Sequence, residues 1–259
     1  MRLRTARLEK DGINLNVPTS ISHLLTPWDG YLLYRTKRRR ELLDIKPVVN
    51  GTKEKRVCKD IVYLQGLRLL CMKHGVQGGY LGLAAAHGAE IYTCLKGSVS
   101  GKFVTCQHKL EDYILIREYM RQVEPAYQGV RFDTLHSDIL DALRWLPKNE
   151  KFAIGDLDMM CQLDYDVAER IATGWALHAE KKSVLAVWHT SNRQKDGGDK
   201  LIDKSYRPYL RHQLSKYFKI IEWEKWAYYE RAEGRKGGFP MRVEVISLER
   251  TCKKASLAA

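Results

Sequence analysis

No stretch of the 259-residue chain approaches the roughly 18 consecutive apolar residues that span a bilayer. The longest, Ile61 to Met72, is broken by Gln65, Gly66 and Arg68. A secretory start is missing too, because Met1-Arg2-Leu3-Arg4 runs into Glu9-Lys10-Asp11 rather than an apolar block. The expectation is a cytoplasmic protein with no membrane partner. The six cysteines include no Cys-x-x-Cys pair, which excludes a disulfide framework and fits reduced thiols. Cys71-x-x-His74 and Cys106-x-His108 lack a compact second ligand pair, so no metal is expected. Gly97-Ser-Val-Ser-Gly101-Lys102 is too short for a phosphate-binding Walker loop and is followed by Phe103, which disfavours ATP hydrolysis. Internal repeats and low-complexity tracts are absent.

Positive charge is in surplus: 44 Lys+Arg against 31 Asp+Glu give a formal charge of +13. Such a field attracts polyanions. The excess is concentrated. Between Arg35 and Lys59 stand ten cations and three acids, and between Arg193 and Lys219 eight cations and three acids. Each stretch alone reads equally well as a solvated face. Together, flanking a candidate site, they point to nucleic acid.

Hydropathy patterning divides the chain into a basic N-terminal extension over residues 1–52, irregular with short elements, and a folded domain over residues 53–259. Lys53 to Lys73 reads as a helix, with Val57, Ile61, Leu64, Arg68 and Cys71 at three- and four-residue spacing, ended by His74-Gly75. Lys151 to Asp156 reads as a buried strand, Asp164 to Lys181 as a helix, and Ser183 to Trp188 as a second buried strand. Leu201 to Phe218 looks helical, with Pro208 splitting or kinking it. Lys219 to Tyr229 and Met241 to Leu248 are two last strands joined by a connection too short for a crossover, so they pair antiparallel or leave the sheet. Alternating strands and helices imply an α/β fold with a mostly parallel sheet covered on both faces.

This order, closed by a C-terminal hairpin, resembles the class I S-adenosylmethionine-dependent methyltransferases. The resemblance implies a Rossmann-like three-layer sandwich with a mostly parallel seven-stranded sheet and an antiparallel C-terminal strand. It also implies S-adenosylmethionine as cofactor. In the stretch His74 to Cys94 it places a cofactor turn at Gly75, Gly78, Gly79 and Gly82, a helix from Leu81 to His87 and a strand from Ala89 to Leu95. The family's acid-Gly-x-Gly-x-Gly pattern is not matched there. The ribose-gripping acid is also absent: that place is held by Leu95 or Lys96 in one register, and by Gln107 in a second that uses Lys102 to Cys106 as the strand.

Val130 to Ile139 resembles the family's third strand, which makes Asp138 the candidate for the adenine amino group; a helix N-cap is the other reading and is compatible. Asp156 and Asp158 fall where the family keeps its catalytic motif, so the resemblance has them face the acceptor, with His189 assisting proton transfer or standing as an ordinary loop histidine. The Asn/Asp-Pro-Pro-Tyr/Phe and Pro-Cys motifs of base-modifying enzymes are missing, and Cys161 reads as a core cysteine. Phosphates would be held by Lys37, Arg38, Arg39 and Arg40 and by Lys195, Lys200 and Lys204. Trp223, Trp226, Tyr228 and Tyr229 offer a stacking surface, at least half of it spent on the core. The implied function is methyl transfer to DNA or RNA. The alternatives are a non-catalytic nucleic-acid binder with a degenerate methyltransferase fold, and a methyltransferase for a protein or small molecule.

Overall fold

The computed structural model describes residues 5–10, 13–18, 67–83, 95, 97–126, 129–190, 202–231 and 238–251. One sheet organises them. Its nine strands are β1 (Thr5–Lys10), β2 (Ile13–Pro18), β3 (Gly78–Gly82), β4 (Val99–Gln107), β5 (Val130–His136), β6 (Phe152–Gln162), β7 (Ala179–Thr190), β8 (Phe218–Arg231) and β9 (Gly238–Arg250). Their order is β1-β2-β8-β9-β7-β6-β3-β4-β5. The run from β5 to β7 is parallel throughout, whereas β9 lies antiparallel between β7 and β8. These seven strands are the expected Rossmann-like sheet with its C-terminal hairpin. The structure adds two more, because the supposedly irregular N-terminal arm contributes the β1–β2 hairpin, which meets β8 at Asn16 and Ala227.

Five helices are described: α1 (Arg68–His74), α2 (Leu110–Val123), α3 (Ile139–Trp145), α4 (Tyr165–His178) and α5 (Arg207–Ser215). The apolar core lies between the sheet and α3 to α5, where Leu143, Ile171, Trp175 and Leu210 meet Leu157, Leu185 and Ile246. Side chains of alternate parity, such as Tyr80, Phe103 and Ile154, are buried on the opposite face with Leu70 of α1 and Ile116 of α2. Tyr80 stacks on Phe103 at 4.2 Å. Each large side chain so buried contributes about 1.5–3 kcal/mol.

Local chemistry sets the element ends. Gly75 closes α1 in the left-handed region at φ 61°, as the His74-Gly75 pair predicts. Asp164 caps α4 by accepting from Val167 N at 2.8 Å. Pro208 does divide the expected Leu201–Phe218 helix: a π-helical turn over Ile202–Tyr206 precedes α5, and the proline sits in its first turn, where a missing N–H costs nothing.

Two expectations are corrected. Gly78 to Gly82 is the central strand β3 and not a turn, and Leu81 lies inside it rather than opening a helix. Leu95 is helical and β4 contains Lys102 to Cys106, so the second register holds and Gln107 ends the second parallel strand. Crowding explains the glycines of β3. A Cβ on Gly82 would sit 2.8 Å from the Asp156 backbone oxygen, and one on Gly78 2.8 Å from Ala153 Cβ.

Gly155 of β6 is equally confined, since a Cβ there would lie 2.7 Å from Leu185 Cδ1 and 2.8 Å from two atoms of the Trp175 indole. Gly155→Ala is expected to destabilise the fold by about 1–3 kcal/mol through overpacking, read as a lower denaturation midpoint. Unchanged stability would mean that the Trp175 ring yields freely.

Candidate functional site

The chain leaves β3 toward β4 and β5 on one side, then returns to β6 on the other. Strand order therefore reverses between β3 and β6. In open α/β sheets such a switch point opens a crevice at the carboxyl ends of the strands, and ligands bind there. Gly82, Gln107, His189 and Thr190 all stand at those ends.

The buried polar groups at this edge are unusual. Gln107 Nε2, His189 Nδ1 and Thr190 Oγ1 find no hydrogen-bond partner among the described residues, although all three side chains are buried. An unpaired buried polar atom costs about 1–3 kcal/mol. Such atoms call for an explanation, of which an ordered water, an ion or a catalytic role are the usual ones.

Asp156 and Asp158 lie within β6 and not at its end, because the strand continues to Gln162. Asp156 is fully buried and both its oxygens are engaged: Tyr80 OH donates to Oδ2 at 2.9 Å and Trp188 Nε1 to Oδ1 at 2.5 Å. Its carboxylate thus clamps β3 and β7 across β6. Asp158, two residues nearer the edge and 4% exposed, points to the same face. The β6–β7 register shifts between Asp158 and Gln162. A bulge of that kind re-aims side chains beside a site.

On the opposite face of β7 lies a buried ionic cluster that the sequence reading missed. Nε and Nη2 of Arg207, the first residue of α5, converge on Glu244 Oε1, the former at 2.7 Å. Trp223 Nε1 donates to Oε2 at 2.6 Å. His189 Nε2 stands 3.5 Å from Oε1. Burial alone would push the Glu244 carboxyl up, but the His189 contact and the Arg207 charge outweigh it and hold it down at about 2. The signal was present in the sequence: in Val243-Glu-Val-Ile-Ser-Leu248, Glu244 shares the inward parity of Ile246 and Leu248.

The other expected site residues separate. Asp138 is exposed at the end of β5 and caps α3 by accepting from Leu140 N at 2.8 Å. Gly75, Gly78 and Gly79 stand at the opposite, amino end of β3. At that end a cleft of about 400 Å³ is lined by Lys73, His74, Lys182 and Glu249 among others, with Lys73 and His74 both bonded to Glu222. Lys204 is exposed in the turn before α5. Lys37, Arg38, Arg39, Arg40, Lys195 and Lys200 lie outside the described residues, as do the side chains of Trp226, Tyr228 and Tyr229. Burial pushes the Cys71 thiol up to about 12 and the Cys106 and Cys161 thiols up as well, so none of the three is a ready nucleophile. No cluster that could hold a metal occurs among the described residues, and no helix among them is long and apolar enough to cross a membrane.

No family model and no curated protein matches the chain. Solved structures to which it is similar include an O-methyltransferase from Bacillus cereus in complex with SAH, at 15% identity over 88% of this chain and 95% of that one, with a TM-score of 0.46. A putative RNA methyltransferase from Pyrococcus horikoshii is 12% identical, covering 89% and 100%, at a TM-score of 0.48. A putative methyltransferase from Escherichia coli is 10% identical, covering 79% and 92%, at 0.47. The fold class rests on the strand order and register themselves.

The depressed Glu244 carboxyl makes stability pH-dependent in a defined window. Its contribution is complete above its ordinary value of 4.5 and is lost as pH falls toward about 2. Glu244→Gln is expected to flatten that acid limb and, by leaving Arg207 without its anion, to cost about 3–5 kcal/mol at neutral pH. Urea titrations across pH read both effects, and an unchanged acid limb would show that other carboxyls control it.

Proposed function

We propose that this chain is an S-adenosylmethionine-dependent methyltransferase whose acceptor is a nucleic acid. The observation that carries the reading is the placement of buried, unpaired polar atoms at the carboxyl edge beside the β3/β6 switch point of a Rossmann-like sheet. The residues fit the cofactor. Gln107 Nε2 is an amide donor suited to a ribose hydroxyl, a neutral substitute for the acid the resemblance implies. Asp138 has a second carboxylate oxygen beyond the one spent on its cap.

When bound, S-adenosylmethionine supplies an electrophilic methyl group to a nucleophile held in line with it. Asp158 holds the acceptor and takes its proton, a role that asks for orientation more than strong basicity. Asp156, already bonded to Tyr80 and Trp188, keeps the strand beneath Asp158 rigid. His189, beside Glu244 on the other face of the sheet, offers its unpaired Nδ1 as a hydrogen-bonding group at the same edge. The +13 charge supports a polyanionic acceptor, held through Lys204 together with Lys37, Arg38, Arg39, Arg40, Lys195 and Lys200.

Calorimetric titration with S-adenosylmethionine and S-adenosylhomocysteine tests the cofactor half, with saturable binding expected and about ten-fold weaker binding in Gln107→Ala, in line with the loss of one ligand hydrogen bond. Asp158→Ala is expected to retain cofactor and lose about 10²- to 10⁴-fold in radiolabelled methyl transfer. Absence of cofactor binding by a folded sample would favour the non-catalytic binder. A flat response of oligonucleotide affinity to salt would remove the nucleic-acid half.

A further inference from the structure

Three tyrosines meet beside the candidate site. Tyr165 is the first residue of α4, three residues beyond the end of β6. Tyr206 closes the turn before α5, and Tyr209 lies in that helix. The Tyr165 ring stands perpendicular to both, at 5.0 Å and 82° from Tyr206 and at 4.9 Å and 84° from Tyr209. Tyr206 and Tyr209 pack in turn against the main apolar core. Tyr165 itself remains 51% exposed.

This is a specific arrangement. Two rings anchored in the core hold a third upright by edge contacts, so its orientation is fixed before any ligand arrives. Burial does not account for it, since half of the ring's surface stays in water. Its position is set by the N-termini of α4 and α5, both of which open toward the carboxyl edge that carries Asp158 and His189. Lys204 and Arg211 are exposed on the α5 side of the cluster, where they offer charge to a phosphate backbone. Asp164, Asp166 and Glu169 are exposed acids on the α4 side, which directs the backbone toward Lys204 and Arg211.

We propose that Tyr165, propped by Tyr206 and Tyr209, is a stacking platform for one unpaired nucleobase of the acceptor strand, next to the base that enters the site. The inference rests on the nucleic-acid reading above and narrows it: the acceptor is single-stranded or locally opened, and the paired duplex is the poorer ligand. Stacking suits this role because every base presents a π-face, so the platform accepts RNA or DNA without reading sequence.

The test uses the full chain and fluorescence anisotropy with a labelled single strand, as RNA and as DNA, and with the duplex of the same sequence. Tyr165→Leu keeps apolar bulk against Tyr206 and Tyr209 but removes the π-face; Tyr165→Trp keeps both. Single-strand affinity is expected to fall about ten-fold in Tyr165→Leu, the loss of roughly one stack, and to return in Tyr165→Trp. Duplex affinity and the salt slope, which counts phosphate contacts, should stay unchanged. Equal single-strand binding by parent and Tyr165→Leu, with a normal salt slope, overturns the platform and leaves the nucleic-acid reading standing. An equal loss on single strand and duplex also overturns it. Failure of the parent protein to bind any of the three ligands at low salt removes both.

Discussion

Close approach of β3 to β6 governs the centre of this protein. Two parallel strands of opposite topological direction meet there, and the space between them admits no Cβ at Gly78 or Gly82. The carboxylate of Asp156 then ties β3 to β7 through Tyr80 and Trp188. A carboxyl group in the middle of a sheet is tolerable because two donors meet its two oxygens. The result is a rigid three-strand floor whose carboxyl edge carries the unpaired atoms of His189 and Thr190, with Gln107 beside it on β4. Site geometry is therefore inherited from strand packing.

A second buried carboxylate does similar work on the other face. Glu244 takes donors from α5 and β8 and lies beside His189 of β7, so one side chain of β9 fixes three elements. Buried ion pairs of this type contribute less to net stability than to the uniqueness of the arrangement, because desolvation offsets most of the Coulomb gain. Here the arrangement concerns where α5 begins, and so where Tyr206 and Lys204 are presented.

Much of the fold was legible because its strongest segments are buried on both faces. Phe152 to Gly155 and Val184 to Trp188 read as uninterrupted apolar runs, and the short connection before β9 forced an antiparallel partner. The β3 strand was illegible for a physical reason: three of its five residues are glycine, selected by crowding, and glycine signals a turn when read along the chain. That misreading made a turn of Gly75, Gly78 and Gly79, which stand at the amino end of β3, and of Gly82, which stands at its carboxyl end. The placing of Asp158 and His189 toward the carboxyl ends of β6 and β7 was legible from the apolar runs before them. The tyrosine cluster was not, since Tyr165 and Tyr206 are 41 positions apart and only the packing of α4 on α5 unites them.

The two edges of the sheet carry a consequence for the protein in a crowded solution. The outer strand β1 reads Thr-Ala-Arg-Leu-Glu-Lys, and at the far side β5 exposes Arg131, whose Nε donates to Asp133 Oδ2 at 2.8 Å. A free edge invites hydrogen bonding by the edge of another molecule. Any strand docking on β5 would have to strip water from that ion pair. The N-terminal hairpin does more than lengthen the sheet: among the described residues it moves the outer margin from β8 to β1, so the backbone of β8 is no longer an edge open to another molecule.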